Sequence, residues 1–129
     1  MRILFVEDDA MNRRVVRDML DVAGATMVEA ELAEAGLRRI DEEEFDLVLL
    51  DLRMPGMDGF EVIRRVRARD DAKRMLPIVI VTADTAVDLI ERCLAAGADE
   101  VLFKPVAMDA LFDAIGRILA KRAGGDLLF

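Results

Sequence analysis

The sequence predicts an α/β domain: a doubly wound parallel sheet of five strands with helices on both faces. Two observations lead there. Leu47-Val48-Leu49-Leu50 and Ile78-Val79-Ile80-Val81 are unbroken apolar runs of strand length, as strands buried on both faces require. Between such runs lie segments whose apolar residues recur at helical spacing, so that five strand-helix pairs alternate along the 129 residues. That length suits one domain with a substantial core.

The elements follow in order. Ile3-Leu4-Phe5-Val6 is the first strand and ends in Glu7, Asp8 and Asp9. A helix over roughly Met11 to Ala23 comes next, with Val16, Met19, Leu20 and Ala23 on one face and Gly24 as its stop. Ala25 to Glu29 is a weaker strand, expected near an edge, and Leu32 to Ile40 is a second helix in which Gly36 is a mild local weakness. Asp41-Glu42-Glu43-Glu44 reads as its solvated end and turn. The strand at Leu47 closes on Asp51, and Met54-Pro55-Gly56-Met57-Asp58-Gly59 then breaks the backbone twice. A third helix from near Phe60 is expected to bury Phe60, Ile63 and Val66. Arg64, Arg65, Arg67, Arg69, Lys73 and Arg74 read as a solvated basic face, with a partner or anionic-ligand contact as the alternative. Pro77 opens the β-branched strand that ends at Thr82. A fourth helix, about Ala86 to Ala96, stops at Gly97 and is expected to bury Leu89, Ile90, Cys93 and Leu94. Val101-Leu102-Phe103 is the last strand, ending at Lys104-Pro105. The last helix, about Met108 to Ala123, repeats Met108, Leu111, Phe112, Ile115 and Leu119 and is expected to end at Gly124-Gly125. Residues 1–123 are thus expected to form one domain and 124–129 a short tail, whose apolar Leu127-Leu128-Phe129 suits a frayed end better than a docking peptide.

Composition narrows the function. A formal net charge of -8 argues against direct DNA binding, which needs a basic surface. Cys93 is the single cysteine, so no internal disulfide can form and a reducing compartment is expected. No apolar run approaches bilayer length, and Met1-Arg2-Ile3-Leu4 enters a strand directly without a signal peptide; a cytoplasmic location without membrane insertion is expected. Histidine is absent, so a histidine base, zinc ligand or phosphate carrier must come from a partner.

In a parallel sheet the C-terminal strand tips share one edge, where ligands bind. Four tips here carry chemically useful residues: Glu7-Asp8, Asp51, Thr82 and Lys104. Singly, each has an ordinary explanation: Asp8 and Asp51 as helix caps or turn residues, Thr82 as a strand end, Lys104 as a surface lysine. Together they point to a phosphoryl-Mg²⁺ site. Three clustered carboxylates repel unless a cation joins them, and an oxygen-only donor set suits a hard cation such as Mg²⁺. A carboxylate beside Mg²⁺ can act as a nucleophile toward phosphorus. Lys104 would offset phosphoryl charge and the Thr82 hydroxyl would donate to a phosphoryl oxygen.

Val6-Glu7-Asp8-Asp9, the stretch Asp46 to Gly59 (DLVLLDLRMPGMDG), Val81-Thr82-Ala83 and Phe103-Lys104-Pro105 resemble, in order and at family spacing, the signature set of response-regulator receiver domains of the CheY-like superfamily. The resemblance covers nearly the whole chain and implies a stand-alone receiver with the flavodoxin-like strand order 2-1-3-4-5. It implies that Asp51 is the phosphoacceptor, that Asp8, Asp51 and the backbone carbonyl of Arg53 ligate Mg²⁺, and that Glu7 acts through water. Thr82 matches the switch hydroxyl, Lys104 the phosphate-pairing lysine, and the Lys104-Pro105 bond is expected to be cis. Arg53 and Asp84 fall at positions that flank the path of the attacking water in receivers. The implied partners are a histidine kinase or histidine phosphotransfer protein, which supplies the phosphoryl group from phosphohistidine, and a downstream protein target.

Two positions depart from the family pattern. Val101 stands where receivers usually carry an aromatic switch residue, and Ala33 stands about where a glycine often precedes the second helix. Neither change touches phosphorylation chemistry. A competing function is a small Mg²⁺-dependent aspartyl-phosphate phosphatase, but haloacid-dehalogenase enzymes favour an aspartate two residues after the nucleophile, where this chain has Arg53. A nucleotide-binding flavodoxin-like module is a third possibility, and no phosphate-cradling glycine loop follows the first strand.

Overall fold

Apolar side chains at alternate positions of each central strand face opposite sides of one sheet, and this alternation builds two cores. Ile3, Phe5, Leu47, Leu49, Val79 and Val81 meet Val16, Leu20, Leu111, Ala114 and Ile118 on one side. Leu4, Val6, Val48, Leu50, Ile78 and Ile80 meet Ile40, Ile63, Val66, Leu89 and Cys93 on the other. The structure, a computed structural model, describes the backbone of residues 1–127 and the side-chain surroundings of residues 1–122. Its strands are β1 (Arg2–Val6), β2 (Thr26–Ala30), β3 (Leu47–Asp51), β4 (Ile78–Thr82) and β5 (Glu100–Phe103). Its helices are α1 (Ala10–Val22), α2 (Ala33–Glu42), α3 (Gly59–Arg67), α4 (Leu89–Ala96) and α5 (Met108–Leu127), with a short 3₁₀ turn at Ala72–Met75. All pairings are parallel in the order β2-β1-β3-β4-β5, so the doubly wound fold and its flavodoxin-like order hold. Among the described residues no helix is long and apolar enough to cross a membrane.

Several local expectations are corrected. The helix at Ala86 begins at Leu89 instead, because the Asp84 carboxylate accepts the Ala86 N–H at 2.9 Å and holds a turn there. Only the stripe Leu89–Cys93 of α4 faces the sheet, leaving Ile90 and Leu94 exposed. In α3, Val62 joins Ile63 and Val66 in the core while Phe60 is only half-buried, with the Arg92 guanidinium 5.2 Å above its ring. Ala23, the C-cap of α1, is exposed, and in α5 Ala114 and Ile118 join Leu111 in the core while Met108 and Leu119 face outward. The last helix runs through Gly124 and Gly125 to Leu127; glycine weakens a helix interior by about 1 kcal/mol without forbidding it. Leu128 and Phe129 lie outside the described residues.

Gly36 is a packing requirement rather than a weakness. A Cβ there would lie 2.7 Å from Val6 Cγ2, so a side chain would push α2 off β1. The basic stretch is also not simply a solvated face. Arg67 donates to the Gly97 carbonyl at 2.9 Å and to the Arg74 and Leu76 carbonyls at 2.7 Å each. Lys73 Nζ donates to the Ile40 carbonyl at 2.6 Å and to the Glu43 carbonyl at 3.2 Å, satisfying the C-terminal end of α2.

Candidate functional site

The sheet delivers its tips to one edge. β1 and β3 run side by side with Val6 opposite Leu50, so Glu7 and Asp51 are both one step beyond a paired residue at the same level. Asp51 pairs with Val81 on β4, and Thr82 pairs with Phe103 on β5, one residue before Lys104. Carboxylate oxygens of Glu7, Asp8 and Asp51 all lie within 4.8 Å of one another. Lys104 Nζ reaches this group, 2.8 Å from Glu7 Oε1 and 3.4 Å from Asp51 Oδ2. The Lys104-Pro105 peptide is cis.

Capping does not explain these acids. Asp9, not Asp8, is the N-cap of α1, accepting the Asn12 N–H at 3.0 Å, and Asp58 caps α3 in the same way. Asp8 is left exposed at the mouth of the site, whereas Glu7 is fully buried and Asp51 is 3% exposed. Asp51 Oδ1 accepts the backbone N–H of Arg53 at 3.2 Å.

The electrostatics are those of crowded anions. Burial, followed by the hydrogen-bonding and charge of Glu7, pushes the Asp51 carboxyl up to about 7. Burial also raises the Glu7 carboxyl, but a proton shared with Asp51 and hydrogen bonds from Lys104 and Asn12 outweigh it and hold Glu7 below the usual carboxylate range. Burial lowers the Lys104 ammonium, and the two carboxylates outweigh that and raise it. Glu7 Oε2 is buried with no hydrogen-bond partner. A proton held by Asp51 or a cation in the cluster would satisfy that oxygen. A buried carboxylate oxygen without a partner, on a residue whose carboxylate joins those of Asp8 and Asp51, fits a hard divalent cation.

Thr82 is fully buried, its Oγ1 accepting the Asp84 N–H at 3.0 Å. The Arg53 side chain does not enter the carboxylate cluster: it is largely exposed and pairs with Asp84, Nη2 to Oδ2 at 2.5 Å. That pair links the loop after β3 to the loop after β4, and the Arg53 guanidinium holds the Asp84 carboxyl below its ordinary range. Two contributors were not legible in the sequence. Asn12 Nδ2 donates to Glu7 Oε1 at 2.9 Å, and Arg13, itself buried, donates to the Glu7 carbonyl at 2.7 Å while pairing with Glu29. The only signal for them was an amide and an arginine in the first turn of a helix that follows an acidic strand end.

Residues 3–116 match the family model described as the response regulator receiver domain. The chain belongs to this family. Among receiver relatives, it is 37% identical over 127 residues to the virulence sensor protein BvgS of Bordetella bronchiseptica, covering 95% of this chain and 10% of that protein. It is 39% identical over 119 residues to the sensor histidine kinase AruS of Pseudomonas aeruginosa, covering 92% of this chain and 12% of that one. This receiver thus spans about a tenth of the length of those sensor proteins. Its backbone superposes on a CheY-like receiver domain protein from Methanospirillum hungatei with a TM-score of 0.86 at 28% identity, covering 96% of this chain and 97% of that one. Against the chemotaxis protein CheY4 of Vibrio cholerae the TM-score is 0.83 at 28% identity, covering 91% and 97%. As a receiver, the chain is a signalling domain of two-component systems.

Proposed function

We propose that this receiver accepts a phosphoryl group from a phosphohistidine onto Asp51 and, once phosphorylated, changes its affinity for a protein target. The observation that carries this reading is the convergence of Glu7, Asp8 and Asp51 within 4.8 Å, with Lys104 Nζ 3.4 Å from the Asp51 carboxylate.

Asp51 is the nucleophile. Its carboxylate oxygen forms a bond to phosphorus as the phosphorus–nitrogen bond of the donor imidazole breaks. Ionised Asp51 is the reactive form, and Lys104 favours it by placing positive charge beside the carboxylate and, later, beside the phosphoryl oxygens. The Thr82 hydroxyl donates to a phosphoryl oxygen, which draws on the same oxygen that now accepts the Asp84 N–H. Asp8, Asp51 and the backbone carbonyl of Arg53 would hold Mg²⁺, with Glu7 contributing through water. When bound, the cation neutralises charge on the carboxylates and the transferring group. Hydrolysis of the acyl phosphate in the same site resets the domain, so the chain catalyses only its own phosphorylation and dephosphorylation. The donor is a histidine kinase or histidine phosphotransfer protein, and the setting is the cytoplasm.

Incubation with acetyl phosphate and Mg²⁺ tests this. Wild type is expected to take up one phosphoryl group and Asp51→Asn none; equal uptake by both would refute the assignment.

A further inference from the structure

Glu7 is fully buried, yet its two carboxylate oxygens are treated unequally. Oε1 accepts two donors, Asn12 Nδ2 at 2.9 Å and Lys104 Nζ at 2.8 Å, while Oε2 is buried and has no partner when Asp51 is ionised, and the Glu7 carboxylate joins those of Asp8 and Asp51 in the cluster. The backbone of Glu7 is fixed independently by Arg13, whose Nη1 donates to its carbonyl at 2.7 Å. Lys104 has a second claim on it, Asp51 Oδ2 at 3.4 Å, and a phosphoryl group on Asp51 would strengthen that claim. If Lys104 leaves Glu7 for the phosphoryl group, Oε1 must keep another donor or stand unpaired in a buried setting, which is unfavourable.

We propose that Asn12 is a positioning residue: its amide holds Glu7 Oε1, so that Oε2 stays presented to the carboxylate cluster while Lys104 is released to the phosphoryl group. This rests on the phosphoryl-Mg²⁺ reading above. A neutral amide suits the task, since it donates without adding charge to compete with Lys104 and without the repulsion that another carboxylate would bring. The backbone that carries it is anchored, because the Asn12 N–H is bound to the Asp9 carboxylate at the N-cap of α1. Substitution of the side chain leaves that cap bond intact.

The test measures Mg²⁺ affinity by calorimetry, and beryllofluoride affinity in saturating Mg²⁺, for wild type, Asn12→Ala, Asn12→Asp, Glu7→Ala and the Asn12→Ala/Glu7→Ala double variant. Asn12→Ala is expected to weaken both by about tenfold, the usual cost of losing a residue that orients a ligand. Asn12→Asp has the same shape but replaces the donor with an acceptor, so it is expected to bind at least as weakly as Asn12→Ala. A role in helix packing alone would leave Asn12→Asp like wild type. In the Glu7→Ala background, removal of the Asn12 side chain is expected to cause no further loss. Wild-type affinities for both Asn12 variants, or an equal further loss without Glu7, would overturn the positioning role. A wild type that binds neither ion would instead overturn the phosphoryl-Mg²⁺ reading, and this role with it.

Discussion

Asp51→Asn should make the metal-free fold more stable at about pH 8. Asp51 is 3% exposed, and burial together with Glu7 pushes its carboxyl from the ordinary 3.8 up to about 7. Between those values the folded chain holds a proton that the unfolded chain has released, so stability falls as pH rises from 3.8 toward 7 and stays low above it. At about 1.36 kcal/mol per pH unit the full shift corresponds to about 4 kcal/mol. That is an upper bound, because Glu7 shares the proton and Lys104 offsets part of the charge. The expected gain for Asp51→Asn at about pH 8 is therefore about 2 to 4 kcal/mol, the upper end applying if the new amide donates to Glu7 Oε2. The chain has no Trp or Tyr, so urea unfolding is followed by far-ultraviolet circular dichroism, in chelator and in Mg²⁺. The gap should shrink to less than half near pH 5, nearly close near pH 4, and narrow in Mg²⁺ at about pH 8. A variant no more stable than wild type at about pH 8, or a gap that acid leaves unchanged, would refute this electrostatic account.

Asp8→Ala removes an exposed acid of the cluster and should weaken Mg²⁺ binding by at least about tenfold, read by titration. Unchanged binding would remove Asp8 from the ligand set. Arg53→Ala breaks the pair with Asp84 and opens the mouth of the site, so the acyl phosphate should hydrolyse about two- to fivefold faster; a slower variant would contradict a shielding role for Arg53. Because Val101 has no ring to swing, the signal should travel through the loop after Thr82, held by the Asp84 contacts to Thr82, Ala86 and Arg53. With and without beryllofluoride, Thr82→Ala should lose most of the change in target affinity and Val101→Ala should keep it; the reverse pattern would make Val101 the relay.

The tips of the strands were legible because an apolar run that stops abruptly at an acid, a hydroxyl or a lysine marks both the end of a buried strand and a residue with another task. Glu7, Asp8, Asp51 and Lys104 do meet, and Thr82 lies on the neighbouring tip. Features set by contacts between distant elements were not legible. Helical spacing put Ile90 and Leu94 in a stripe, but which stripe of α4 faces the sheet depends on how the helix docks, and these two point outward. Lys73 and Arg67 looked like surface charges, since nothing local shows that their long side chains reach carbonyls of α2 and of the loops flanking β4 and α4. Gly36 shows its purpose only when α2 lies against Val6. Asn12 and Arg13 are polar residues in a helix whose targets, Glu7 and Glu29, lie just beyond β1 and in β2.

Everything proposed for this domain depends on the passage of a phosphoryl group from histidine to Asp51. The direct measurement is phosphotransfer from a phosphohistidine-bearing kinase or phosphotransfer protein in Mg²⁺, followed by peptide mapping of the labelled chain. A single mark is expected at Asp51, on the C-terminal tip of β3, released by hydroxylamine as an acyl phosphate is. A hydroxylamine-resistant mark, or one on any other residue, would contradict it.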